Sequence, residues 1–406
     1  MQIGKIEVAM GLNPPSGASP MTRRRFLTAT TGLTAGAVGA VTLGGFPAGT
    51  AAWAAAEELS FTVAAKSPWM SNQSALTSYN HMFLGLPRYP GHESTPGVGR
   101  RLADKTVIAF PGNAWNDWKP GDSGKDSFVY VNGLHIFADD TVWVVDQGGL
   151  RPDAAPVELS TPKPGAQKVV QLHPHSGKVL SVIRFDDEIL PTGAQLNDLR
   201  IHGSTMYLTD SGTGALIVHD LSSGKTTRRL SGYPQMLGIP TTTAQGAHRT
   251  PKADMIEVSA AGDWLYWAAP TGPLYRIPTR LLRNSRRTDA ELATHIEHVA
   301  DIPRSGGCAI DSRGNIYLSD LDNRQVVLLA ASGKTAVLAR NAKLISPDGG
   351  FISADRHLYI PAPQSSLTTL FGNPTDLTTK PFMIYSLKLP RSFDDIPLGK
   401  AVNGKA

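Results

Sequence analysis

Along most of the chain, apolar residues alternate with polar ones in short runs that stop at Gly, Asp or Asn, and the runs come in pairs. Residues 131–149 read VNGLHIFADDTVWVVDQGG, and residues 196–212 read LNDLRIHGSTMYLTDSG. In each, an alternating strand, a polar turn and a second strand centred on an aromatic residue follow one another, which is the period-two signature of a β-hairpin. The pattern recurs from Asp254 (DMIEVSAAGDWLYWAAPTG), around Gly306 (GGCAIDSRGNIYLSDLDN) and from Asp348 (DGGFISADRHLYIPAPQ). A second hairpin follows several copies. VVQLHPHSGKVLSVIRF, LIVHDLSSGKTTRRL and VVLLAASGKTAVLAR share an SGK turn between two strands, whereas GPLYRIPTRLLRN has lost the glycine turn.

Two hairpins per copy make a four-stranded unit. The leading positions 132, 197, 254, 306 and 348 lie 65, 57, 52 and 42 residues apart, the range of propeller blades joined by loops of variable length. Five units are visible. A sixth can be assembled from both ends of the chain, HMFLGLPRY near His81 and FMIYSLKLP near Phe382, and sharing a blade in this way closes the ring and leaves no free sheet edge. The expectation is an all-β protein: a single six-bladed β-propeller over residues 75–395, its last blade closed by both chain ends. Residues 57–74 then form a linker and 396–406 a flexible tail. Helical patterns are scarce, with RLLRNSRRTDAELATHIEHV the stretch that can hold a short helix.

The first 56 residues carry a different pattern. MTRRRFLTATTGLTAGAVGAVTLGGF places arginines before a mildly apolar Ala/Gly/Thr/Val run, and AGTAAWAAA offers cleavage options ending at Ala54 or Ala56. Charged, apolar and small-residue regions in this order make a secretory leader, and Arg23 and Arg24 before RFL give it the form of a twin-arginine signal. Met21 is an alternative start of that leader. The expected partner at this end is the twin-arginine export machinery, and the expected location is outside the cytoplasm, in the periplasm, the cell-wall space or the medium. The leader holds Lys5, Arg23, Arg24 and Arg25 against Glu7, so most of the formal net charge of +5 leaves with it. What remains is nearly neutral and shows no basic stripe with interleaved aromatics, so nucleic-acid binding gains no support. No apolar run reaches the length of a membrane span. Cys308, the one cysteine, has no intrachain partner and sits in the apolar run CAI, as a buried structural thiol would.

The chemistry is expected at the axis. The Asn or Asp that leads each copy falls where the innermost strand begins, a position that faces the central channel of a propeller. Asn132, Asn197, Asp254 and Asp348 are therefore the candidate ligand-binding residues, joined by His248 and Arg249 from the loop GAHRTPKAD. Amide and carboxylate oxygens suit Ca²⁺ or another divalent cation, which makes Asn132, Asn197 and Asp254 candidate metal ligands and Asp254 a candidate catalytic base. The competing reading is that these residues satisfy backbone groups at strand starts. Asp146, Asp210 and Asp320, which end second strands at regular spacing, read as structural. His173 and His175 flank a proline in a hairpin turn and read as exposed. Trp115 and Trp118 in NAWNDW could wall an aromatic pocket or pack against the propeller. GDSGK from Gly121 matches neither a serine-protease nor a phosphate-loop context.

MFLGLPRYPG, VNGLHIFADDTVWVVDQGG, LNDLRIHGSTMYLTDSGTGALIVHDLSSGKTTRRL and SPDGGFISADRHLYIP together resemble the major royal jelly/Yellow family over essentially the whole chain after the leader. The resemblance implies a six-bladed propeller that is secreted and holds a small organic molecule, such as an amine or a sterol-like compound, in or near the propeller. Insect members carry cysteine pairs that this chain lacks, so it looks like a bacterial relative. More distantly the chain is similar to the gluconolactonase/senescence-marker propellers, which hydrolyse lactones with one divalent cation held by a Glu, two Asn and an Asp. Asn132, Asn197 and Asp254 match the amide and Asp positions of that set. No GE-x-P-x-W segment supplies the Glu, for which Glu93 is a weak stand-in. Three functions stay open: a small-ligand binder, a cation-dependent lactonase, and a protein-interaction propeller with no small ligand.

Overall fold

The computed structural model describes residues 57–151, 157–242 and 248–402; the leader and its cleavage options lie outside them. Six four-stranded antiparallel sheets make the six blades of a β-propeller. Blade 1 comprises Gln73–Leu76, Met82–Gly85, Val98–Arg101 and Val107–Ala109. Blade 2 comprises Val131–Ile136, Val142–Asp146, Lys168–Leu172 and Val179–Ile183. Blade 3 comprises Leu196–His202, Thr205–Asp210, Ala215–Asp220 and Thr226–Arg229. Blade 4 comprises Met255–Val258, Trp264–Ala268, Leu274–Pro278 and Glu297–Ala300. Blade 5 comprises Ser305–Ile310, Ile316–Asp320, Gln325–Leu329 and Thr335–Arg340. In these five the strands run outward from the axis in chain order.

Blade 6 departs from that order. Phe351–Ile352, His357–Ala362 and Phe382–Lys388 supply its first three strands, and Thr62–Ser67 from the amino end adds the outermost one. Thr62 pairs with Ser386 and Ser67 with Phe382 in antiparallel register. Both chain ends thus close one blade, but with a different amino-terminal segment from the one expected. The stretch near His81 lies in blade 1, and the closing strand comes from residues 57–74, the stretch expected to be a linker. At the other end, Phe393, Ile396 and Leu398 of the 391–402 segment are buried against blades 5 and 6. The Gly399 N–H donates to Asp311 Oδ2 at 2.6 Å, and Ser312 N–H to the Lys400 carbonyl at 2.8 Å. The stretch expected to be a flexible tail is thus tied down as far as residue 402.

The core lies between neighbouring blades. Phe83, Leu84, Val131, Leu134, Val144 and Val170 fill the junction of blades 1 and 2. Tyr207, Leu216, Ile256 and Trp267 fill that of blades 3 and 4. Period-two alternation sends one face of each strand into each junction, which is why both faces are apolar outside the axis.

The three aspartates that end second strands are structural. The Asp146 carboxylate accepts from the N–H groups of Val129, Tyr130 and Gly148, each at 2.9 Å. Asp210 accepts from Gln195, Gly212 and Thr213, and Asp320 from Asp322 and Asn323. Each is buried and pins the turns beside its own strand. Behind Asp146 lies Lys168, whose side chain is fully buried. Its ammonium donates to Asp146 and to the carbonyls of Gly124, Ser127 and Ala166 at 2.8–2.9 Å. Trp115 packs on Phe128, and Trp118 is buried beside Val129 and Tyr130, so the pair consolidates the fold at blade 2. Cys308 is buried, His175 is exposed, and His173 is half-buried.

Removing one partner of a buried ion pair costs about 3–5 kcal/mol, because the other is left uncompensated. Lys168→Met is therefore expected to lower the melting temperature by several degrees. Lys168→Met combined with Asp146→Asn should cost less than the sum of the two single changes, as thermal melts of the three variants would show.

Candidate functional site

The inner strands of six blades begin around one axis, and there is little room between them. A Cβ on Gly133 would come within 2.6 Å of the Asn197 carbonyl, and one on Gly306 within 2.1 Å of the Pro347 carbonyl. At this end of the channel the side chains form an arc of hydrogen bonds. Tyr89 OH donates to Asn72 Oδ1 at 2.9 Å, and Asn72 Nδ2 to Asn132 Oδ1 at 3.0 Å. Asn132 Nδ2 donates to Asn197 Oδ1 at 2.9 Å, and Asn197 Nδ2 to Asp254 Oδ2 at 3.0 Å. Four successive blades are thereby linked side chain to side chain. Asp348 follows on blade 6, its Oδ1 accepting from Gly349 N–H at 2.8 Å.

Backbone anchors hold these groups in place. Asn132 and Asn197 each sit in a β-bulge of the inner strand, which turns the side chain out of the ladder and toward the axis. Thr209 Oγ donates to the Asp254 carbonyl at 2.6 Å, and Ser319 Oγ to that of Asp348 at 2.7 Å. Asn72 and Asn197 are buried, whereas Asn132, Asp254 and Asp348 keep part of their surface open. These three are recessed in the channel: ringed by protein, yet reached by solvent along the axis.

That setting governs their charge. Burial pushes the Asp254 carboxyl up to about 7, with Asp198 adding to the effect and Arg151 and Asn197 opposing it. Burial also raises Asp348 well above the usual carboxylate range, with Asp254 contributing next. Tyr89 is pushed up to about 12 by burial, then by Asp348. Two carboxyl groups thus share one recess with one guanidinium, that of Arg151, acting on both.

Deeper in the channel lies a second charged layer. Arg200 donates from Nε and Nη2 to both oxygens of Glu257, at 2.9 and 2.8 Å, and from Nη1 to Asp198 at 2.9 Å. Burial works against the Arg200 charge, but the two carboxylates outweigh it and hold the guanidinium protonated. Burial pushes Glu257 up to about 7 against the pull of Arg200. His135 stacks on Phe137 with ring centroids 4.6 Å apart, and burial lowers its pKa well below the ordinary imidazole value. Below this layer, His135, Glu257, Phe351 and Val402 line a cavity of about 10 Å³, room for about one water.

Of the residues expected at the site, Asn132, Asn197 and Asp254 are linked in series by hydrogen bonds, and the Asp254 charge acts on Asp348. His248 and Arg249 form a short strand paired with Thr241–Thr242, and both are exposed. Glu93 is also exposed and accepts from the N–H of Gly91 in its own loop. Asn72, Tyr89, Arg151, Asp198, Arg200 and Glu257 join the site without having been singled out in the sequence. Each amide oxygen accepts one N–H or O–H from its neighbour, so –NH₂ groups alternate with oxygens along the arc, whereas a hard cation is held by oxygens throughout. Among the described residues no three His, Cys, Asp or Glu side chains are grouped to hold a metal ion.

A carboxyl whose pKa is higher folded than unfolded contributes stability that is full below its unfolded pKa and is lost as pH rises through the folded one. For Asp254 that window runs from about 4 to about 7. Asp254→Asn keeps an oxygen for Asn197 and escapes the loss. It should match the wild type near pH 4 and exceed it by on the order of 1 kcal/mol at pH 8, since each pKa unit is worth about 1.4 kcal/mol and partial exposure discounts the whole. Melting curves of both proteins between pH 4 and 8.5 measure the gap.

Among solved structures, a gluconolactonase from Xanthomonas campestris is similar at 13% identity over 81% of this chain and 89% of that one, with a TM-score of 0.49. The calcium-binding protein regucalcin from Agrobacterium tumefaciens is similar at 15% identity over 87% and 97%, with a TM-score of 0.49. Virginiamycin B lyase from Staphylococcus aureus is similar at 10% identity over 82% and 99%, with a TM-score of 0.42. No curated protein sequence matches at a significant level. The family model described as Major royal jelly protein matches residues 129–392, which take in blades 2 to 5 and the first three strands of blade 6, and the chain belongs to that family.

Proposed function

We propose that the recess at the axis binds a small organic molecule, and that Asp254 and Asp348 receive a positively charged or hydrogen-donating group on it. The observation that carries this reading is the pairing of two recessed carboxyls, both shifted upward by burial, with a hydrogen-bonded arc of amides beside them. A protonated amine placed between the carboxyls would supply the charge that burial withholds, and the arc would orient polar groups on the rest of the ligand. Membership of the royal jelly family is compatible with such a role. In the same reading the twin-arginine-type leader carries the folded propeller out of the cytoplasm, where its ligand is met. The head-to-tail amides weigh against the cation-dependent lactonase.

The test uses the mature protein and tyramine as the probe, with binding followed by calorimetry. Saturable binding is expected to strengthen from pH 5 to pH 8 as the carboxyls ionise. Asp254→Asn should weaken it about 10- to 100-fold, the equivalent of about 1.5–3 kcal/mol for a hydrogen bond to a charged group. Absence of saturable binding, or binding indifferent to Asp254→Asn, would remove the reading.

A second measurement addresses the cation directly. Protein purified without chelator is expected to hold far less than one Ca²⁺ per chain, and its melting temperature should not move on addition of EDTA. One ion per chain, with a drop in melting reversed by Ca²⁺, would restore the lactonase in its place.

A further inference from the structure

Blade 4 is where the outer hairpin lacks the SGK turn, and the structure shows what replaces it. Residues 279–296 leave the sheet after Leu274–Pro278, form two short helical turns at Thr279–Leu282 and Asp289–Ala293, and return at Glu297. The insertion is well anchored. Leu281, Leu282 and Leu292 are buried with Trp267 in the core of blades 3 and 4. Arg229 donates to the carbonyls of Arg287 and Asn284 at 3.1 and 3.0 Å, and Thr288 with Glu291 forms a capping box.

Between this insertion and the 261–264 turn lies a cleft of about 660 Å³, lined among others by Trp264, Arg280, Arg283, Thr294 and His295. Its volume falls within the roughly 300–1,000 Å³ of small-molecule sites. The lining carries Arg280 and Arg283 together with Asp263 and Glu297. Of the two acidic residues in the lining, Glu297 is paired with Arg276 at 2.7 Å, and Asp263 accepts the Ser259 hydroxyl at 2.5 Å. Arg276 also lies over the Trp264 ring, 4.2 Å from its centroid, and fixes that aromatic wall. The guanidinium groups of Arg280 and Arg283 hydrogen-bond no protein group among the described residues, and both side chains are exposed at the cleft.

We propose that this cleft is a binding site for a small organic anion, in which Arg280 and Arg283 receive a phosphate or carboxylate group, His295 adds a third donor, and Trp264 faces the organic body. Guanidinium forks match oxyanions two bonds at a time, and the anchored insertion carries both arginines three residues apart at its first helical turn. The site is separate from the axial recess and does not depend on what binds there.

Calorimetry on the mature protein at low salt, with phenyl phosphate, benzoate and inorganic phosphate as probes, tests the proposal. One-to-one saturable binding of at least one aromatic anion is expected, tighter than that of inorganic phosphate. The ratio of phenyl phosphate to benzoate affinity then tells a phosphate site from a carboxylate site. Arg280→Gln with Arg283→Gln should weaken binding at least tenfold. The same change at the exposed cations Lys343 and Arg391, and Asp254→Asn at the axis, should leave it unaltered. If the double variant melts at a lower temperature than the wild type, His295→Gln replaces it, with a several-fold loss expected. No saturable binding of any probe, or equal weakening by the Lys343 and Arg391 control, overturns the site.

Discussion

The structure depends on the crowding of its own axis. Six strands must begin within reach of one line, so the residues there either lack side chains, as Gly133, Gly306 and Gly349 do, or carry short polar ones that can bond across from blade to blade. The amides of Asn72, Asn132 and Asn197 meet that condition, since each donates to the next blade, and Asn132 and Asn197 also accept from the previous one. They also bridge blades where the apolar junctions cannot reach. The price of this solution is that carboxyls such as Asp254 and Asp348 end up in a recess where ionisation is penalised.

Buried charge in the channel is arranged in two layers of different character. In the deep layer Arg200 engages both Asp198 and Glu257 in direct hydrogen bonds, which tie blades 3 and 4 together at the axis. A buried pair of this kind adds specificity more surely than net stability. The upper layer is partly open, and the Arg151 charge acts on both Asp254 and Asp348.

The repeat pattern made most of the fold legible, because alternating hydrophobicity and turn residues recur in five of the blades. Blade 1 escaped that pattern: its inner strand, Gln73–Leu76, spans only four residues, too few for the alternation to register, so Asn72 went unnoticed. The closing strand Thr62–Ser67 was obscured for a related reason, since TVAAKS gives no sign that its partner lies some 320 residues away. At the axis, the leading Asn and Asp were legible from their position in the repeat. Arg200 and Glu257 were not, because polar residues alternating along a strand read as a solvent face, and in an innermost strand that face points into the channel. Arg151 belongs to a loop, where spacing carries no directional information. His248 and Arg249 drew notice through residue type and proximity in sequence, and the short hairpin they form leaves them exposed.

The outermost strand of blade 6 comes from the beginning of the chain and its partner from near the end. During synthesis, Thr62–Ser67 leaves the ribosome long before Phe382–Lys388 exists to receive it. At about 5–20 residues per second, that wait is on the order of tens of seconds. Through it the ring is an open arc, and the junction of blade 6 with blade 1 cannot form. The strand that waits is short and ends in Lys66 and Ser67, a composition that discourages pairing with the wrong edge. The propeller therefore has no closed form until Phe382–Lys388 has been made, whichever blades stand before it.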